Sequence, residues 1–264
     1  MIIFVKFNIF ITIQIEGGDF VRKSILSVVL IISLAAFCFV SCGDGSSSKL
    51  KIKTEEITRS EDFLEIDMKI PLLGGFPGAE ELNKLIDERV SASIKEVEDA
   101  AAELERMNRR GFRASLNANY QYFYNDDIAS LWIYMDNYTG GAHGMYWLDS
   151  YTFNVATGEI YSFKDLFIED SHGFDQIVAK IMKEVEDDDI YFDTAKETIA
   201  SYQGNFNFLI NGDELVVYFP LYDIAPYVAG IRSFTFELEH LLDYLKPEFI
   251  EAMQGQEAVD ILIL

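Results

Sequence analysis

The side chain with the plainest chemistry in this chain is the thiol of Cys42, because of what stands before it. Arg22 and Lys23 open a charged start, Ile25 to Val40 form an apolar core of signal-peptide length, and Phe39-Val40-Ser41-Cys42 sets a small residue directly before the cysteine. That pattern is a lipobox. Cleavage before Cys42 would leave its sulfur carrying diacylglycerol and its new amine open to a further fatty acid such as palmitate, so residues 21–41 read as a lipoprotein signal peptide. A plain transmembrane anchor needs roughly 20 apolar residues, and Ser24 to Val40 sits at the lower limit. The Ser41-Cys42 end and the polar run Gly43-Asp44-Gly45-Ser46-Ser47-Ser48 favour the lipid, with residues 42–48 as a tether.

The second group able to do chemistry is His143, in the run Gly140-Gly141-Ala142-His143-Gly144. Glycines on both sides let the backbone take positive φ and approach a ligand or another strand closely. A general base or metal ligand needs partners, and the other histidines, His172 and His240, stand at distant positions with no HxxxH or HxH spacing. His143 therefore reads first as a structural histidine that orders its loop by a hydrogen bond. The loop itself ranks first as a ligand-contact surface: Tyr138, Thr139, Gly140, Gly141, His143 and Tyr146 could offer stacking and hydroxyl contacts to a sugar or a partner protein. Tyr222, Pro226 and Tyr227, in an irregular segment between strands, read either as aromatics covering the core or as a second wall of the same groove.

Carboxylates are abundant without forming a recognisable set. Glu184-Val185-Glu186-Asp187-Asp188-Asp189 lacks the spacing of a calcium loop and reads as a solvated helix end, the helix stopping before it because acids there oppose its dipole. Asn137-Tyr138-Thr139 matches a glycosylation sequon, which the bacterial lipobox makes a chance match. There is no GxSxG elbow, Walker loop, dinucleotide fingerprint or HExxH, so no catalytic residue, metal ligand or cofactor is expected. With a net charge of −23 the surface repels nucleic acid and anionic lipid head groups and attracts a cationic partner. Cys38 and Cys42 both lie in the export segment, so stability is expected from packing and not from an internal disulfide. Half the residues are apolar, which is enough for a sizeable core.

The elements that must position these groups follow from periodicity. Lys49 to Ile57 and Phe63 to Ile70 alternate as two paired strands, broken by Pro71 and a glycine-rich loop. Leu82, Leu85, Ile86, Val90, Ile94, Val97, Ala101, Leu104 and Met107 form the apolar stripe of a long helix that Gly111 ends. Aromatic strands follow at Phe112 to Tyr124 and Ile128 to Tyr138. Met145 to Val155 then turns at Ala156-Thr157-Gly158 into Glu159 to Phe163. Ser162 to Asp165 spells a capping box, Phe174 to Val185 an amphipathic helix, and Thr194 with Glu197 caps a shorter one. Asn205 to Asn211 and Glu214 to Phe219 flank a Gly212-Asp213 hairpin turn. Phe234 to Leu238 is the last strand, before a closing helix His240 to Leu245 that Pro247 stops. The expected class is α+β, as two small units of antiparallel strands with packed helices: residues 49–139 and 140–247, then a tail over 248–264. Residues 1–20 are expected to be untranslated leader. Glu16-Gly17-Gly18-Asp19 can be encoded as a ribosome-binding sequence, and Val21 can be read from a GTG start.

Laid out in this way, the chain resembles the extracytoplasmic module of the lysozyme-sensing anti-sigma factor and of some peptidoglycan deacetylases, a domain of unknown function here as a lipoprotein. The pieces are Ile70-Pro71, a glycine-rich loop and Leu82-Asn83-Lys84-Leu85-Ile86 in the first half. In the second they are Gly140-Gly141-Ala142-His143, Phe153 to Gly158 with Asp165-Leu166-Phe167, and Ala225-Pro226-Tyr227-Val228-Ala229-Gly230. The chain is expected to be the accessory module alone, without the sigma-binding segment or the catalytic deacetylase domain. The resemblance thus implies binding or sensing at the bacterial cell envelope, and carries over neither deacetylation nor sigma-factor control. The expected ligand is a cell-wall glycan or a cationic protein such as a lysozyme. A hydrolase working through unidentified carboxylates and a purely structural envelope protein are the alternatives.

Overall fold

A computed structural model describes residues 49–254. The expected leader (1–20), signal peptide (21–41), tether with Cys42 (42–48) and residues 255–264 lie outside them. Strands β1 (Lys51–Ser60) and β2 (Leu64–Gly74) pair antiparallel as expected, although β2 runs on through Pro71. Helix α1 (Ala79–Arg106) then crosses to β3 (Ala114–Asn125), which makes the β2–β3 pair parallel. A helical crossover returns the chain to the same end of the sheet, and only a parallel strand can follow. Strands β4 (Ile128–Tyr138), β5 (Met145–Asn154) and β6 (Ile160–Tyr161) complete a six-stranded mixed sheet in sequence order. The sheet therefore does not end near residue 139: β5 and β6, expected in the second unit, extend the first.

Alternation decides what each face of this sheet meets. Ile66, Met68 and Ile70 of β2, Leu116 of β3, and Leu131, Ile133 and Met135 of β4 are buried against Leu82, Ile86, Val90, Val97, Ala101 and Leu104 of α1. Leu85 and Met107, assigned to that stripe, are exposed instead. Asn83 locks the helix to the strand before it. Its amide nitrogen donates to the Leu73 carbonyl at 2.9 Å, and its side-chain oxygen accepts from the Leu73 N–H at 2.8 Å. This two-way bond copies the pairing a further strand would make.

The second core lies on the opposite side of the sheet. A single 3-10 turn at Phe163–Leu166 carries the expected capping box, with the Ser162 N–H donating to Asp165 at 2.8 Å. Phe163 is fully buried, and the rings of Phe167, Phe174, Phe206 and Phe208 surround it. Helix α2 (Gly173–Glu186) does not stop before the acidic run but takes in Glu184 and Glu186. Val185 is buried in the core and Lys196 pairs with Glu186 at 3.0 Å, and together these outweigh the dipole penalty. Helix α3 (Ala195–Ser201) follows Thr194, whose side chain makes no cap hydrogen bond. Strands β7 (Asn207–Asn211), β8 (Glu214–Phe219) and β9 (Arg232–Glu237) form an antiparallel sheet.

The end of the described chain differs most from expectation. Residues 238–240 make one 3-10 turn, and Pro247 opens helix α4 (Pro247–Gln254) where it was expected to stop one. Proline suits the first helical position because its missing N–H would have had no partner there. Part of the expected tail is thus core: Phe249 is fully buried, and the Asp127 N–H donates to the Ala252 carbonyl at 3.1 Å.

The two sheets are joined by buried hydroxyls. The Ile210 N–H of edge strand β7 donates to Ser130 Oγ at 3.0 Å, and Ser130 shares a 2.9 Å hydrogen bond with Thr152. Nearby, Ser150 donates to the Phe208 carbonyl at 2.6 Å and Tyr218 to the Leu148 carbonyl at 3.0 Å, the two hydroxyl oxygens lying 2.8 Å apart. These bonds fix β4 and β5 against the sheet that carries the segment after β8.

Candidate functional site

That joint brings two distant segments together. The loop between β4 and β5 starts with Gly140 at φ 93, where an added Cβ would lie 2.9 Å from the Leu104 side chain, so only glycine passes there without a shift. The Tyr138 hydroxyl donates to the Gly141 carbonyl at 3.0 Å, and His143 Nδ1 lies 2.8 Å from the Gly144 carbonyl. With the proton on Nδ1, the histidine orders its own loop, as its sequence setting suggested. Its Nε2 faces the other segment, 3.3 Å from the Tyr222 hydroxyl.

Tyr222 and Tyr227 come from the stretch between β8 and β9. Tyr222 holds φ 65, a left-handed backbone that costs an aromatic residue about 1–2 kcal/mol. The two residues that follow hold the strain in place. The Tyr202 hydroxyl donates to Asp223 at 2.6 Å, and the Phe192 N–H donates to the Ile224 carbonyl at 2.9 Å. Pro226 precedes a short 3-10 turn (Tyr227–Ala229), and the Tyr227 hydroxyl reaches back to donate to the Gly144 carbonyl at 3.1 Å. Gly230, at φ 72, would place a Cβ 3.1 Å from the Tyr146 hydroxyl, so a side chain here would press on the cluster.

The result is a continuous patch of rings. The centroid of His143 lies 4.2 Å from that of Tyr227 and 6.5 Å from that of Tyr222. Tyr146 lies 5.9 Å from Tyr227 and 5.8 Å from Tyr134. These spacings are those of mutually attractive aromatic pairs. The patch stands outward: Tyr134 is 40% exposed, Tyr222 47%, and the neighbouring Val228 88%. Partial burial, then the Asp136 carboxylate, pushes the Tyr134 hydroxyl above its ordinary pKa, so it stays a neutral donor.

Four of the nine residues singled out around the loop and the crossover, His143, Tyr146, Tyr222 and Tyr227, form this patch. Tyr138, Gly140, Gly141 and Pro226 shape the two backbones that carry it. Thr139 is exposed. Sequence reasoning missed Tyr134 and Val228. Alternation along β4 puts Tyr134 on the same face as Tyr138, four residues away, and would have found it. Among the described residues no three His, Cys, Asp or Glu side chains are grouped to hold a metal ion. Nor is any described helix long and apolar enough to cross a membrane.

Comparison with known proteins matches two successive stretches of the chain to two different families. Residues 57–146 match the family described as deacetylase PdaC, and residues 164–239 match a protein family of unknown function, DUF3298. His143, Tyr134 and Tyr146 fall in the first segment, Tyr222 and Tyr227 in the second. No curated protein matches the chain. A DUF3298 family member from Bacteroides fragilis shares the fold, with a TM-score of 0.54 and 17% identity over 79% of this chain and 98% of that one. A DUF3298 family protein from Pseudomonas aeruginosa superposes with a TM-score of 0.49 and 14% identity, over 80% of this chain and 99% of that one.

Proposed function

We propose that the chain is a non-enzymatic binding module of the bacterial cell envelope. In this reading it is held extracytoplasmically by a lipid on Cys42, and the ring patch of His143, Tyr146, Tyr222 and Tyr227 receives a cationic protein such as a lysozyme. The observation that carries this is the outward aromatic patch, assembled from two segments some 80 residues apart (His143 and Tyr222 are 79 apart) and held at a strained Tyr222. Small ligands favour concave sites, whereas exposed Tyr side chains with an apolar neighbour are the anchors of protein interfaces. That favours a protein over a glycan at this patch. A net charge of −23 adds long-range attraction for a basic partner, speeding and orienting its approach.

Titration of the full chain with lysozyme by calorimetry, in 50 and 300 mM salt, tests the reading. Saturable binding that weakens with salt and drops at least tenfold, about 1.4 kcal/mol, in Tyr227→Ala supports it. Cytochrome c, a cationic protein of unrelated shape, controls for charge alone. Absence of lysozyme binding, or binding indifferent to both Tyr222→Ala and Tyr227→Ala, rejects the assignment.

A further inference from the structure

Among the described residues the two sheets end on the edge strands β1, β6, β7 and β9. Strand β6 has two residues, the Ile210 N–H and Phe208 carbonyl of β7 are taken by Ser130 and Ser150, and Lys180 reaches the Thr235 carbonyl of β9 at 3.5 Å. Each is short or covered, as soluble sheets require. Strand β1 is neither. It runs for ten residues without glycine or proline and pairs one to one with β2 throughout, so no bulge turns its outer edge away.

Alternation says which groups that edge offers. The Glu61 N–H donates to the Leu64 carbonyl at 2.8 Å, so the odd-numbered residues of β1 direct their backbone groups at β2. Ile52, Thr54, Glu56, Thr58 and Ser60 direct theirs outward, where no described backbone group meets them. The middle of the strand is held from behind, the Thr54 and Tyr120 hydroxyls lying 2.8 Å apart across the groove where β2 and β3 part. The edge is thus a fixed row of donors and acceptors.

A second copy of the same strand fits it in one register. Outward groups must meet outward groups, so a two-fold axis passes through a residue and not between two. With the axis at Lys53, Glu55 or Glu56, that residue faces itself and like charges oppose. At Ile57, Glu55 meets Arg59, whose guanidinium is already bound to Glu61 at 2.9 Å and to Glu98. Axes nearer the strand ends leave fewer pairs. At Thr54 every pair is compatible: Thr54 meets Thr54, Lys53 meets Glu55 on both sides of the axis, and Lys51 lays its stem over half-buried Ile57.

We propose that two copies of the chain join edge to edge through β1, antiparallel about Thr54, so that two six-stranded sheets become one. Residues opposite one another share a face, so the ring patches of both copies point the same way. The pairing does not depend on what the patch binds. A net charge of −23 on each copy opposes their approach, and salt screens that repulsion. One strand pair buries less than the roughly 1,000 Å² of a stable interface, so the dimer is a weak one.

The test uses the full chain with Cys38 and Cys42 changed to serine, so that one introduced cysteine is the only thiol. About this axis the two copies of residue 54 lie about 5.5 Å apart at Cα, within disulfide reach, whereas those of residue 58 lie about 27 Å apart. Mild oxidation at about 100 μM protein and about 300 mM salt is read by non-reducing electrophoresis. Thr54→Cys is expected to form a covalent dimer at least about fivefold faster than Thr58→Cys, and more slowly in low salt. Adding Lys53→Glu, which sets a carboxylate opposite Glu55, slows that dimer about fivefold, and adding Glu55→Lys as well restores it. The restored rate also shows that the charge variants still fold. No dimer from Thr54→Cys, equal rates at positions 54 and 58, or indifference to the charge reversal overturns the proposal.

Discussion

Replacing Tyr218 by Phe tests the joint on which the whole site depends. Tyr218 is 3% exposed, and its hydroxyl lies between the Leu148 carbonyl and Ser150 Oγ, where β8 meets β5. Burial pushes its pKa up to about 12. The Ser150 hydrogen bond draws it back, and the Asp149 and Tyr151 charges add to the rise. In the unfolded chain a tyrosine titrates near 10. Below pH 10 both states hold the proton, so the contribution to stability is complete. Between pH 10 and 12 the unfolded chain releases its proton while the native state keeps it, and stability falls by about 1.4 kcal/mol per pH unit, on the order of 2–3 kcal/mol in all. Tyr151, also pushed up to about 12 by burial, acts in the same direction. Tyr218→Phe removes one of these titrations and one hydrogen bond. At pH 8 the variant is expected to be about 1 kcal/mol less stable. From pH 10 to 11 it should lose about 1 kcal/mol less than the parent protein. Urea unfolding at pH 8, 10 and 11 measures both quantities. Parallel losses between pH 10 and 11 would refute the view that this hydroxyl is buried in the joint.

Two further outcomes are expected, one in stability and one in lipid attachment. Asn83→Ala leaves both the N–H and the carbonyl of buried Leu73 without their side-chain partner. It should cost about 2–3 kcal/mol, or roughly 5–10 °C in Tm by circular dichroism; a shift under about 2 °C would contradict the clamp. In the producing bacterium, labelled palmitate should enter the parent protein and not Cys42→Ala, which should leave the membrane fraction. Equal membrane retention of the two would remove the lipid anchor from the proposal.

Much of the local structure could be read from the order of residues alone. The capping box from Ser162 to Asp165, the hairpin across Gly212-Asp213, the alternation of β4 and most of the α1 stripe are set by neighbours two to four positions apart. Chemistry of the same range placed the two stretches of the ring patch. The lipobox too is a statement about adjacent residues, and its test lies in covalent chemistry. Packing between distant residues decided the rest. Burial of Val185 carried α2 into an acidic run, and burial of Phe249 made a helix start at a proline expected to end one. The parallel β2–β3 pair opened a groove whose lining runs from Thr54 to Asn211. Above all, the Ser150–Tyr218 joint set His143 4.2 Å from Tyr227. Hydrophobic periodicity says which face of a strand is buried, but not which strand lies beside it. A contact across some 80 residues depends on how two complete cores fit, and no short run of residues encodes that.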